Sequence, residues 1–315
     1  MRKKIIVDCD VGIDDALALI LAFHSPELEV KAITGVNGNV PVDTVFNNIQ
    51  KVLSLIQPQQ RPFIARGADQ PLKGKPVYAY SVHGEDGLGG ARIERREGEE
   101  WWQIFRGRGD ELITKMARQY PDEMTLIAIG PLTNLAFGLK KDPEGMGKLK
   151  GMVIMGGAIR TKGNITPHAE FNLFVDPLAA KMVLESGLPI TLVPLDVTHQ
   201  VSLIPQVIEE RVRPINNVFS QFVIGATGYN PIDQRFQRGS KVFHLHDPLA
   251  VGVVIDPNLV RKERVSISVE TQEGERYGQT SEVLGGKVSK DQKMDVCLGV
   301  NSEKFLELFL SRLET

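Results

Sequence analysis

Short β-branched runs alternate with longer helical stretches along most of the chain. Residues 4–7 (KIIV) read as a buried strand, followed by a turn at Val11-Gly12 and an apolar helix over about 13–24. Residues 29–34 predict a second strand and 42–56 a second helix. Further strands are predicted at 62–65, 125–129, 152–155 and 189–194, with helices near 134–140 and over 177–186. This rhythm points to parallel βαβ units around a mainly parallel sheet, an α/β fold flanked by helices. The last third is less regular. There 205–224 reads as helical, 246–254 as the start of another helix, 263–270 alternates like a strand, and 302–313 closes the chain as a helix. The Gly- and charge-rich segment 83–109 reads as a mobile surface loop. No repeat, low-complexity tract or linker divides the chain, so a single domain over 1–315 is expected.

Composition narrows this only slightly. The 315 residues are 42% hydrophobic and 24% charged, ordinary for a soluble globular protein and enough to bury a core without disulfides. The net charge of -2, from 37 Lys+Arg and 39 Asp+Glu, gives no basic field for nucleic acid. Two cysteines, Cys9 and Cys297, make no disulfide framework, and Cys9 reads as a small buried residue. The basic start precedes only Ile5-Ile6-Val7 before acids intervene, too short for a signal peptide's apolar region. No run approaches the roughly 18 apolar residues of a membrane span. A cytoplasmic protein with neither membrane nor nucleic-acid partner is the expectation.

The candidate chemistry begins directly after the first strand. Asp8, Asp10, Asp14 and Asp15 place four carboxylates within eight residues. Alternation along a strand puts Asp8 and Asp10 on one side, and Gly12 permits the turn into the helix that Asp14-Asp15 open. Acids at a helix start are commonly structural, since they meet free N–H groups and the positive end of the dipole. Four crowded carboxylates, however, raise one another's pKa, and a dication relieves that conflict. All-oxygen ligands favour Ca²⁺ or Mg²⁺ over zinc. The apolar helix behind would hold the acids on a rigid support. A further ligand candidate is Asp247, in His244-Leu245-His246-Asp247-Pro248. It could equally be an N-cap preceding proline, but two neighbouring histidines favour chemistry.

Taken together, VDCDVGIDDALAL (7–19), GVNGN (35–39), HGEDGLGG (83–90), IGPLTNLA (129–136), MGGAIRTKGNITPHAEFN (155–172) and HLHDPLAV (244–251) resemble the inosine–uridine preferring nucleoside hydrolases over nearly the whole length. The resemblance implies a Rossmann-like fold and hydrolysis of the N-glycosidic bond of ribonucleosides. It implies Ca²⁺ held by Asp10, Asp15, Asp247 and the backbone carbonyl of Ile129. Asp10 would act as general base on the metal-bound water. Asp14, Asn39 and Asp247, helped by Asn172, would hold the ribose 2′- and 3′-hydroxyls, and Asn164 and Glu170 the 5′-hydroxyl. Met155 would be a further substrate contact. Asp8 would support the site from behind, and His83 and His246 would lie near the base, with His246 as leaving-group acid. A homodimer or homotetramer is also implied.

Read singly, several of these residues have plainer explanations. Asn39 and Asn164 suit turns, while Glu170 and Asn172, two apart, could form a solvated strand face. The chain departs from the family's usual Asp-Thr-Asp-Pro-Gly opening, reading Asp8-Cys9-Asp10-Val11-Gly12, but keeps the carboxylates and glycine. Around 225–243, where the family carries base-contacting aromatics on a mobile helix, only Tyr229 is aromatic, and Pro231 interrupts the helix. Tyr229 could stack on the base. Trp101-Trp102 reads as a packing anchor beneath the long loop, with an oligomer contact as the alternative. Two other functions compete: an aspartate-nucleophile phosphatase using the Asp8-x-Asp10 motif, and a non-catalytic protein that binds ribose and metal.

Overall fold

In the computed structural model, residues 2–93, 98, 100–228, 242–283 and 293–315 are described. The first strand, β1 (Lys3–Cys9), is buried from Ile5 onward on both faces, which is the signature of a strand inside a parallel sheet. Its neighbours are β2 (Leu28–Gly35) and β5 (Met124–Ala128), both parallel to it, with Asp8 opposite Thr34 on one side and Ala128 on the other. Beyond β2 lie β3 (Phe63–Arg66) and β4 (Gln103–Ile104). Beyond β5 lie β6 (Gly151–Met155) and β7 (Ile190–Val193). Two small antiparallel pairs sit outside this sheet: β8 (Ser202–Leu203) with β9 (Phe243–His244), and β11 (Ile267–Val269) with β12 (Thr280–Glu282). The remaining strands, β10 (Val260–Val265) and β13 (Met294–Val300), extend the main sheet past β7.

The nine-stranded order is β10-β13-β7-β6-β5-β1-β2-β3-β4, and only β10 runs antiparallel to its neighbour. The chain thus moves outward from β1 through β4, then returns to the other side of β1 as β5. The direction of winding reverses between β1 and β5. At such a reversal the loops leaving the strand carboxyl ends splay apart and open a crevice.

Alternation along β1 divides the interior. Ile5, Val7 and Cys9 face one apolar layer, shared with the helices Ile13–Phe23 and His246–Ile255. Ile6 faces the other, shared with the helices Gly109–Gln119, Thr133–Lys141 and Pro177–Leu184. The helix Ile13–Phe23 is buried from Ile13 through Ala22 and packs along His246–Ile255, itself buried from Asp247 onward. Helices that are apolar on every face belong inside a protein. Here their mutual packing brings two N-termini together. The expected α/β architecture with one mainly parallel sheet is present, in a single domain.

Several predicted elements need correction. The helix expected over 205–224 is broken into Pro205–Val207, a π turn at Ile208–Val212 and a 3₁₀ turn at Arg213–Ile215, before Val218–Gly228 resumes. Pro214 lacks the N–H an α-helix would use there, and Asn216 turns left-handed at φ 50. The strand expected over 263–270 splits at Ser266 into β10 and β11, which join different sheets. Segment 83–109 is more structured than a loop: it begins on the short helix Tyr80–His83 and contains β4, while 94–97 and 99 lie outside the described residues. The helix Gly109–Gln119 and strand β13 go beyond the pattern read from the sequence. Trp102 is buried in the core and Trp101 packs against it, in keeping with a packing anchor. Both cysteines are free and buried. Among the described residues no helix is long and apolar enough to cross a membrane.

Candidate active site

The reversal at β1/β5 carries most of the predicted site residues. Asp8 ends inside β1, and Asp10 follows it. Gly12 then lets the chain pass closely: a side chain there would come within 2.6 Å of both Asn39 Nδ2 and His83 Nδ1. Asp14 and Asp15 occupy the first turn of Ile13–Phe23. Asp15 Oδ2 accepts from Gly12 N–H at 2.8 Å and from Asn39 Nδ2 at 3.2 Å, and its Oδ1 from Asp10 N–H at 3.1 Å. Asp10 Oδ2 accepts from Asn39 N–H at 2.7 Å. Asn39 is therefore a turn residue and a partner of two site acids at once. Asp247 lies in the first turn of His246–Ile255, whose N-cap is Leu245. It is not the cap the sequence allowed, because the helix starts before it, and its carboxylate is left to the site.

Asp14, Asp15 and Asp247 each offer a carboxylate oxygen within 4.8 Å of one another. This trio differs from the expected ligand set in including Asp14 rather than Asp10. Asp10 stands beside it through Asp15, and its Oδ1 is buried with no hydrogen-bond partner among the described residues. Burial, followed by the charge of Asp15, raises the Asp14 carboxyl to about 7 and Asp10 well above the usual carboxylate range. Burial, then the charges of Asp14, Asp15 and Asp10, does the same to Asp247. Removing several carboxylates from water together is costly unless a positive charge joins them. The oxygen-only donors, the crowding and the orphaned Asp10 oxygen all fit a hard dication.

Asp8 takes a different part. It is fully buried, raised to about 7 by burial, and partly held back by bonds from Thr34 and Asn134. The Thr34 hydroxyl and the Asn134 amide, at 2.8 Å, both donate to its Oδ1. Its Oδ2, like Asp10 Oδ1, is buried without a hydrogen-bond partner among the described residues. Asn134 also donates to Gly35 O at 3.1 Å and accepts from Ala68 N–H at 2.8 Å, tying three loops together. Its motif, IGPLTNLA, signals the position without revealing this bracing role. Asn37 was equally silent in the sequence, yet both polar atoms of its side chain are buried with no partner among the described residues.

On the β5–β6 side, Asn172 donates from Nδ2 to Ile129 O at 2.9 Å and approaches Met155 O at 3.4 Å. Ile129, Met155 and Asn172 are thus brought together. Glu170 is not on a strand: it caps the helix Phe171–Val175, accepting from Asn172 N–H at 2.9 Å and Leu173 N–H at 3.2 Å, and also from Gly157 N–H at 3.1 Å. Asn164 Oδ1 accepts from Phe171 N–H at 2.9 Å, which joins its turn to the same helix start.

Two histidines close the arrangement. His83 Nδ1 accepts from Ile13 N–H at 3.0 Å and lies 4.0 Å from Asp14 Oδ1, and burial lowers its pKa to about 4. His246 Nδ1 is 2.7 Å from the Thr198 hydroxyl. Burial, then the neighbouring imidazoles of His244, His199 and His83, holds its pKa well below the usual histidine value. Both rings are therefore uncharged near neutrality. Tyr229 lies outside the described residues, as does most of 225–243.

The family model for inosine-uridine preferring nucleoside hydrolases matches residues 5–307. The pyrimidine-specific ribonucleoside hydrolase RihA of Photobacterium profundum is 36% identical over 314 residues, covering 99% of each chain. The protein of that name from Shewanella sp. (strain ANA-3) is 37% identical, covering 99% of this chain and 96% of its own. Among solved structures, a plant nucleoside hydrolase, PpNRh1, superposes with a TM-score of 0.91 at 29% identity over 100% of both chains. A purine-preferring ribonucleoside hydrolase from Gardnerella vaginalis gives 0.89 at 30% identity, covering 99% of this chain and 98% of its own. With a match that spans almost every element of the sheet and the whole acidic crevice, the chain belongs to the inosine-uridine preferring nucleoside hydrolase family.

Proposed function

We propose that this protein hydrolyses the N-glycosidic bond of ribonucleosides, releasing free base and ribose. The observation that carries the reading is the convergence of four buried carboxylates with amide side chains and two neutral imidazoles in one crevice. Asp10, Asp15, Asp247 and the carbonyl of Ile129 would hold Ca²⁺. When bound, that ion would offset the negative charge of the cluster and acidify a neighbouring water. Asp10 takes the proton of the attacking water on Oδ1, its unpartnered oxygen. Asp14, Asn39, Asn172 and Asp247 hold the 2′- and 3′-hydroxyls, since carboxylates accept strongly and amides both donate and accept. Asn164 and Glu170 hold the 5′-hydroxyl. Cleavage passes through an oxocarbenium-like sugar, and the surrounding carboxylates stabilise its developing positive charge. His246, with His83 beside it, donates a hydrogen bond from Nε2 to the departing base and so eases its release.

The test is a panel of purine and pyrimidine ribonucleosides with Ca²⁺, with and without a chelator, read as liberated ribose. Both base classes belong in it, because the matched proteins carry names of either preference. Ribose should appear with Ca²⁺ and fall with the chelator. Nucleoside binding without ribose release from any member would instead establish the non-catalytic alternative.

A further inference from the structure

We propose that Thr198 is a positioning residue that fixes the tautomer and orientation of His246, so that Nε2–H faces the departing base. The proposal rests on the reading of His246 given above.

Thr198 ends the short helix Leu195–Thr198 that follows β7, and it is fully buried. Its Oγ1 lies 2.7 Å from His246 Nδ1. A hydroxyl can either donate to or accept from an imidazole nitrogen, so the direction must be argued. If Thr198 accepted, its own hydrogen would need another acceptor. Among the described residues its hydroxyl has His246 alone as a hydrogen-bond partner. A buried hydroxyl hydrogen left without an acceptor is costly. Donation from Thr198 to Nδ1 satisfies both groups, and it leaves the ring proton on Nε2.

His83 reaches the same state by a simpler route. Its Nδ1 faces the Ile13 peptide N–H, which can only donate. The proton of a neutral His83 therefore also sits on Nε2. The two rings are pinned alike, one by the backbone and one by a side chain.

Two other histidines crowd His246 without replacing this contact. Their ring centres lie 5.4 Å (His244) and 5.7 Å (His199) from it, and 5.1 Å from each other. They confine the ring by packing, whereas the Thr198 hydroxyl selects which nitrogen carries the proton. His alone cannot choose its tautomer; the partner of the other nitrogen does.

The test compares Thr198→Val, which keeps the shape and loses the hydroxyl, with Thr198→Ser, which keeps the hydroxyl. Proton–nitrogen correlation spectra read the His246 tautomer directly, with the signal assigned by its loss in His246→Gln. The wild type and Thr198→Ser should show Nε2–H, and Thr198→Val a mixture of tautomers. On nucleosides, Thr198→Val should lower kcat by about 10- to 100-fold, the scale of a weakened proton donor, with KM little changed. On p-nitrophenyl riboside, whose leaving group needs no such help, the fall should be far smaller, and Thr198→Ser should recover most of the nucleoside rate. An unchanged tautomer in Thr198→Val, equal losses on both substrates, or no recovery by serine would each overturn the assignment. If wild-type protein shows Nε2–H yet cleaves no nucleoside, the tautomer assignment stands and the proposed activity is what has failed.

Discussion

Asp10, like Asp8, has one oxygen engaged and one left over, but it stands beside Asp15 in the crevice. Its Oδ2 accepts from the Asn39 N–H while Oδ1 has no partner in a buried setting. That asymmetry suits a general base, since one oxygen fixes the carboxylate and the other receives a proton. In Asp10→Asn the fixed oxygen can be retained as the amide oxygen, but the basic oxygen is gone. With Ca²⁺ saturating, kcat for ribose release should drop by at least about 10²- to 10⁴-fold, with a much smaller change in KM. Steady-state kinetics decide the matter: a variant that keeps wild-type kcat would remove Asp10 from this role. Much of the residue-level site was legible in the sequence because motif spacing preserves residue types. What was not legible was partnership. Nothing in the string reveals that Asn134 grips Asp8 or that Thr198 meets His246, because these contacts join segments distant in the chain.

At the level of elements, the acids are presented by three devices: a strand end, and the N-termini of two mutually packed buried helices. Helix N-termini favour negative charge, so each helix stabilises the acids it carries while packing forces them together. The strand-end loop has almost no slack. A Cβ at Gly38 would fall 2.0 Å from Asp10 Oδ2, far inside contact distance. Gly38→Ala must therefore displace either the Asp10 carboxylate or the 35–39 loop. A shift of about 1 Å at a reacting group can cost about 100-fold in rate, and overpacking of this kind costs about 1–3 kcal/mol of stability. The variant should remain folded by circular dichroism with a modestly lower Tm, while ribose release falls by about 100-fold or more. Near-wild-type turnover would mean that the loop yields freely and does not set Asp10. The elements that patterning anticipated were those with one periodically buried face, such as Val42–Ile56, which buries Val45, Ile49, Val52 and Ile56, and Ser302–Leu313, which buries Phe305, Phe309 and Leu313. It failed at 205–224, where Pro214 breaks a helical pattern, and at β13, where Val296 and Cys297 are buried in succession instead of alternating.

For the molecule as a whole, a metal ion held in the crevice would couple its binding to folding. Asp8 and Asp14 have native pKa values raised to about 7 from an ordinary 3.8, chiefly by burial, and Asp10 and Asp247 are raised further. Between about pH 4 and pH 7 the metal-free native state therefore holds protons that the unfolded chain has already released. Stability rises with pH only where the unfolded state binds more protons; in this window the native state binds more, so these groups lower stability as pH increases. A dication held by the ionised cluster would reverse the situation, because it has no equivalent site in the unfolded chain. Its stabilisation grows as RT ln(1 + [L]/Kd), about 2.7 kcal/mol at a hundredfold excess over Kd, and protons compete with it for the same oxygens at low pH. Thermal melts of chelator-treated protein, with and without added Ca²⁺, should thus separate little at pH 5 and widely at pH 8. Other ionisable groups affect both curves alike and drop out of the difference. A Ca²⁺-dependent gain in Tm that is flat across this range, or larger at pH 5, would show that the buried carboxylates are not what holds the ion.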